Sequence, residues 1–137
     1  MKSTDLTNEI SFHDSTLIAL HHDGADIELE LDSVAASLSI VGEPSESEYV
    51  LLEEARVRCH KARTTALEFW TDTKAPIEHP NPDNPMREIM KNELNGDLLQ
   101  MSGWAHENGW VEWAVQASRF TVSWSGETRV NLPKAEQ

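Results

Sequence analysis

The sequence has little cysteine, few basic residues and no long apolar run, and each scarcity excludes a class of protein. Its one cysteine, Cys59, cannot form an internal disulfide, which is typical of a reducing compartment. Lysine and arginine number 11 against 24 aspartate and glutamate residues, giving a net charge of −13. Binding to DNA or RNA depends on neutralising phosphates with basic side chains, so we expect no nucleic-acid partner. Without a membrane-length apolar run or a signal-peptide pattern, we expect a cytoplasmic protein that makes no membrane contact.

The acidic residues that are present are concentrated in the first part of the chain. The 137 residues are the length of one domain, and residues 1–54 hold 13 acidic side chains against one basic residue, Lys2. Residues 55–137 are almost neutral, with 10 basic and 11 acidic side chains. Such a charge can serve solubility alone, or it can form a recognition surface for a basic partner.

A hairpin is predicted near the N-terminus, after a loose arm over residues 1–10. Two alternating segments, Ser15–His22 and Ala25–Asp32, flank Asp23-Gly24, a dipeptide typical of a two-residue turn. Such a turn places Leu20 opposite Ile27 and Ile18 opposite Leu29 on the core face. The opposite face then carries three carboxylates in a row: Asp26, Glu28 and Glu30.

The rest of the chain alternates in the same way, apart from one segment near residues 85–94. There the apolar residues Met86, Ile89, Met90 and Leu94 follow a helical spacing, with Asn84-Pro85 before them. We therefore predict a single α+β domain over residues 1–137. It consists of a twisted, mainly antiparallel sheet of about six to eight strands and one helix near residues 85–94.

Tryptophan is the most informative aromatic residue. A two-residue turn at Asn108-Gly109 places Trp104 opposite Trp113, and both are predicted to point into the core together with Trp124. Trp110 falls on the opposite face. It is the tryptophan we expect to be exposed and to anchor an interface.

The sequence does not assemble the residues of a known catalytic motif. Cys59 and His60 are neighbours on a strand and point to opposite faces, which excludes a nucleophile–base dyad. The histidines lack the spacing of a zinc site, so we predict no metal, no cofactor and no catalytic residue. A small-ligand or metal-dependent enzyme using the region of His13, Asp14, His21 and His22 is the alternative, as is an acidic accessory domain without catalytic role.

The segment Ser11-Phe12-His13-Asp14-Ser15 resembles the Phe-His-Asp-type immunity proteins of bacterial polymorphic toxin systems, in which this motif leads into a strand hairpin. The resemblance implies a cytoplasmic antitoxin that binds and neutralises a cognate toxin domain. Within the motif we expect Phe12 to pack on the core, and His13 and Asp14 to have structural roles. Nuclease toxins are basic, so the expected contact residues are acidic, with one aromatic anchor: Asp26, Glu28, Glu30, Glu43, Glu46, Glu48 and Trp110.

Overall fold

The computed structural model describes residues 1–37, 40, 49–72 and 74–130. Over these residues the chain forms thirteen β-strands and no α-helix. The described part of the chain therefore contains no helix that is long and apolar enough to cross a membrane. The predicted α+β class is therefore wrong, and the strands exceed the predicted six to eight. In chain order they are β1 (Lys2–Asp5), β2 (Ile10–Ser11), β3 (Ser15–Asp23), β4 (Asp26–Leu31), β5 (Val34–Ser37), β6 (Tyr49–Glu53), β7 (Ala55–His60), β8 (Arg63–Trp70), β9 (Glu88–Asn95), β10 (Leu98–Trp104), β11 (Trp110–Gln116), β12 (Arg119–Trp124) and β13 (Gly126–Val130).

The described strands form two sheets in which every pair is antiparallel. The larger sheet has the order β1-β12-β7-β4-β3-β9-β10-β11-β8, and the smaller has the order β13-β6-β5-β2. The antiparallel pairing predicted from the sequence is thus confirmed. Strands that follow each other in the chain can lie far apart in this order; β7 and β8, for example, are separated by five other strands.

Two sharp corners carry the chain from one sheet to the other. Glu54 alone separates β6 from β7, and its φ of 52° turns the strand out of the extended conformation. Ser125 separates β12 from β13, and its N–H donates a hydrogen bond of 3.0 Å to the carbonyl of Glu53. The two corners are bonded together, and buried side chains from both sheets form one hydrophobic cluster.

The segment predicted as a helix is instead strand β9. Ile89 pairs with Gly103 and Lys91 pairs with Ser102, so Met90 is an extra residue in a β-bulge. The extra residue shifts the alternation of inward and outward side chains by one position. As a result, Met86, Ile89, Met90 and Leu94 have the spacing of one face of a helix although they do not form one. Pro85 is buried ahead of the strand, where its carbonyl lies 2.7 Å from Nε2 of the buried His79.

The first hairpin forms at the predicted place with a different register. Asp23 pairs with Asp26, so the turn residues are Gly24 and Ala25, and Gly24 has a φ of 62°. A glycine with positive φ at the first turn position is typical of a type II′ turn. Leu20 pairs with Leu29 rather than Ile27, a shift of two residues that keeps the faces. A bulge between Leu17 and Ala19 then leaves Ile18, predicted to be in the core, 61% exposed.

The second hairpin has a longer loop than predicted, and the difference reverses one tryptophan. Ala105 donates its N–H to the carbonyl of Gly109, and Asn108 has a φ of 57°. The loop therefore has three central residues instead of two. An odd shift of register moves side chains to the other face, so Trp104 pairs with Trp110, and Trp113 pairs with Met101.

The N-terminal ten residues, predicted as a loose arm, contain two strands. Lys2–Asp5 pairs with β12, and Ile10–Ser11 pairs with β5. Between them, the side-chain amide of Asn8 bonds both the N–H and the carbonyl of Leu94, at 2.8 and 2.9 Å. These contacts tie the segment to the edge of β9.

Candidate protein-binding face

The Phe-His-Asp segment forms a turn that leads into β3. Phe12 is fully buried, as expected, and its carbonyl accepts a hydrogen bond from the N–H of Ser15. Asp14 has a φ of 63°, a left-handed conformation that aspartate tolerates better than most residues. His13 bonds the Met90 carbonyl through Nδ1, and its Nε2 lies 3.2 Å from the Asp14 carboxylate. All three motif residues therefore have a structural place in this turn or in its contact with β9.

Ser15, the next residue, is buried and ties the turn to the end of β4. Its hydroxyl lies 3.3 Å from Oδ1 of Asp32 and accepts the N–H of Ser33 at the same distance. The same Asp32 oxygen accepts the N–H of Thr16 at 2.8 Å. A serine buried by strand and turn needs such partners, because an unbonded buried hydroxyl is costly.

The predicted acidic face of the first hairpin exists, but it is paired with arginines. β4 lies beside β7, which places Glu28 opposite Arg58 and Glu30 opposite Arg56. Arg58 donates to Asp23, Asp26 and Glu28 at 2.8–2.9 Å. Arg56 approaches Glu28 at 3.5 Å and Glu30 at 3.2 Å. The positive charges of the two arginines thus offset about half of the negative charge of the four carboxylates on this face, Asp23, Asp26, Glu28 and Glu30.

Asp26 is the most strongly held of these carboxylates. It accepts the backbone N–H of Lys61 at 2.9 Å and the side chain of Arg58 at 2.9 Å. Both hydrogen bonds favour the ionised carboxylate, so they lower the pKa of Asp26 below its usual value. The remaining predicted acidic contacts, Glu43, Glu46 and Glu48, lie outside the described residues.

A second face, on the outside of β8, β10 and β11, carries three tryptophans side by side. Trp104 pairs with Trp110, and Trp110 pairs with Trp70, so the three side chains form a row across neighbouring strands. The inward residues of these strands, among them Phe69, Val111 and Met101, are buried. Trp104 is 45% exposed, while Trp70 and Trp110 are half-buried.

Contacts within this face hold Trp104 and Trp110 in place. The rings of Trp104 and Trp110 meet edge to face, with centroids 4.9 Å apart and planes at 83°. The indole N–H of Trp110 donates to the Glu112 carboxylate at 2.8 Å. Fixed aromatic rings lose little conformational entropy when a partner covers them, which favours binding.

Carboxylates surround this row. Glu88 pairs with Trp104 on the neighbouring strand, and Glu112 pairs directly with Glu68. Among the described residues, Glu68 and Glu88 make no ion pair, whereas most hairpin carboxylates do. We call these six residues the tryptophan face: Trp70, Trp104, Trp110, Glu68, Glu88 and Glu112.

Sequence reasoning identified only Trp110 of this face. Trp104 was assigned to the core because of the assumed turn length, and Trp70 was overlooked. The alternation of β8 could have shown Trp70, because Leu67 and Phe69 already point inward and the next residue must point outward.

The groups considered for catalysis lie apart. His13 and Asp14 precede β3, whereas His21 and His22 lie near its far end, roughly 25 Å away in an extended strand. His21 instead bonds Glu30 at 3.2 Å. Burial raises the pKa of the Cys59 thiol to about 12, so almost none of it is thiolate at neutral pH. In the part of the chain that the structure describes, no His, Cys, Asp or Glu side chains are grouped to hold a metal ion.

Comparison with known proteins finds no relative: the chain matches no family model, no curated protein and no solved structure.

Proposed function

We propose that this protein is an inhibitor of the immunity type, which binds a basic toxin domain and blocks it by covering its surface. The observation that carries the proposal is the row of three tryptophans on the outer face of β8, β10 and β11. The resemblance of Phe12, His13 and Asp14 to the immunity-protein motif supports it independently.

A row of tryptophans left partly in contact with water is costly for a protein unless the row has a function. Apolar surface left in water forgoes about 25 cal/mol per Å² of burial. Tryptophan is also the residue most enriched among the interface positions that dominate binding energy. A row of fixed rings on a sheet face therefore favours a function in protein binding.

The charge of the molecule favours a basic partner. The net charge is −13, and Glu68 and Glu88, which form no ion pair in the described part of the chain, adjoin the tryptophan row. Opposite charge on the partner raises the association rate and selects against acidic proteins. Basic nuclease toxins fit this description.

The test is co-expression with the C-terminal domain of the protein encoded immediately upstream. We expect that domain alone to stop bacterial growth, and this protein to restore growth and to bind the domain directly in calorimetry. A double variant, Trp104→Ala with Trp110→Ala, should lose rescue and weaken binding at least tenfold.

Tyr49→Ala is the matched control, because Tyr49 is an aromatic residue that is 42% exposed on the smaller sheet. It should rescue growth as the wild type does. Absence of binding by the wild type to a folded, toxic domain would refute the proposal. Equal loss in the tryptophan and tyrosine variants would show that the tryptophan row is not the contact surface.

A further inference from the structure

Glu68 and Glu112 are a pair of like charges beside the tryptophan row, and neither forms an ion pair among the residues that the structure describes. They are direct partners across β8 and β11, where Cβ atoms lie about 5 Å apart and equal charges destabilise the sheet. One carboxylate oxygen of Glu112 accepts a hydrogen bond from the indole N–H of Trp110. Lys91, a cation on the same face, is two strands from Glu112, roughly 10 Å away, and makes no ion pair within the described residues.

Next to this pair is a depression of about 330 Å³. Its lining includes Glu112 of β11, Ser102 of β10, and Lys91 and Glu93 of β9. The pair of lining residues Ser102 and Glu112 lies one row of side chains from the pair Trp104 and Trp110. A long cationic side chain could therefore enter the depression with its stem against the indoles and its charge at the carboxylates.

We infer that the tryptophan face binds an arginine side chain of its partner protein, an inference that rests on the function proposed above. A guanidinium group is planar, stacks on an aromatic ring and bonds two carboxylates at once, and its charge would relieve the repulsion between Glu68 and Glu112. A lysine ammonium is a compact, strongly hydrated point charge without a planar face to stack on an indole, so it fits this arrangement less well.

The experiment uses two peptides of equal charge, hexa-arginine and hexa-lysine, and needs no toxin. Indole N–H signals of the ¹⁵N-labelled protein report each tryptophan separately. We expect hexa-arginine to shift the signals of Trp70, Trp104 and Trp110, and to bind about threefold or more tighter than hexa-lysine. Trp104→Ala should remove this preference, while Tyr49→Ala should retain it.

Glu68→Gln separates a binding role from a structural one. Removing one of two repelling charges should raise the melting temperature by about 1–4 °C, while weakening hexa-arginine binding about threefold. Glu54→Gln, at an exposed carboxylate of the corner between the sheets, should change neither quantity.

Equal affinity for both peptides, unaffected by Trp104→Ala, would overturn the inference and leave only a diffuse attraction between charges. Shifts of the three indoles by neutral oligosaccharides and not by hexa-arginine would overturn it in favour of glycan binding. Arginine-selective binding by a protein that fails to inhibit the upstream toxin would support this inference and refute the proposed function alone. Inhibition of the upstream toxin by a protein that binds both peptides equally would support the proposed function and refute this inference.

Discussion

Arg58 holds three carboxylates, with Asp23, Asp26 and Glu28 each within 2.9 Å of a guanidinium nitrogen. The charge count along the chain assigned all three to an uncompensated acidic segment. Strand pairing brings in Arg58 from the almost neutral second part and cancels much of that charge. A carboxylate on this face therefore stabilises the fold, whatever else it does.

Reversing the charge of Glu28 should consequently cost stability. Glu28→Lys removes bonds to Arg56 and Arg58 and places a cation beside both, so we expect the free energy of unfolding to fall by about 1–3 kcal/mol. Glu93→Lys is the matched control, because Glu93 is exposed and makes no ion pair among the described residues; its effect should stay below about 0.5 kcal/mol. Urea denaturation measures both, and equal effects would contradict the network.

Asp26 should make stability depend on acidic pH. Its pKa is lower in the folded protein than the ordinary value of 3.8, so ionised Asp26 stabilises the fold above that value. This contribution is lost as pH falls from about 3.8 through the lower folded pKa. Asp26→Asn should therefore be less stable than the wild type at neutral pH, and the difference should shrink below pH 4. Thermal unfolding against pH measures this, with Asp72→Asn, at an exposed carboxylate, expected to show no such trend.

At the scale of elements, the two hairpins and the strand alternation were predictable, whereas registers and bulges were not. Asp23-Gly24 indicated that a turn forms here, since turn residues act locally, but the two central residues are Gly24 and Ala25. In the second hairpin, between β10 and β11, pairing along the whole hairpin determines whether the loop has two or three central residues. The number of loop residues in turn determines the face of the sheet on which Trp104 lies. The bulge at Met90 had the largest effect, because one inserted residue made a strand resemble a helix.

Gly103 tests the bulged pairing of β9 and β10. A Cβ atom at Gly103 would collide with the backbone carbonyl of Glu88, which cannot move without breaking the pair. We expect Gly103→Ala to lower the free energy of unfolding by about 1–3 kcal/mol. Gln100→Ala, on the exposed side of the same strand, should cost less than about 0.5 kcal/mol. A fully tolerated Gly103→Ala would refute this close approach.

At the scale of the molecule, the candidate site assembles from strands that are distant in the chain. Trp70 lies 34 residues before Trp104, and they meet on one face only because β8 and β10 both pair with β11. Sequence reasoning could identify an exposed tryptophan on one strand, as it did for Trp110. It could not place β8 beside β11, because β7 and β8 are adjacent in the chain and lie in distant positions of the sheet.

The net charge of −13 and the unpaired carboxylates lead to a last prediction, about the rate of binding a basic toxin domain. Long-range attraction accelerates encounter, and salt screens it over a Debye length of about 10 Å at 0.1 M. We expect the association rate to fall steeply as ionic strength rises, while the dissociation rate changes little, because buried tryptophan contacts control it.

Reversing Glu88 and Glu93 to lysine should slow association at low salt without unfolding the protein, since neither carboxylate forms an ion pair within the described residues. Stopped-flow fluorescence of the tryptophans against salt concentration gives both rates. A wild-type rate that is independent of salt, or a double variant that associates as fast, would contradict electrostatic recognition through the tryptophan face.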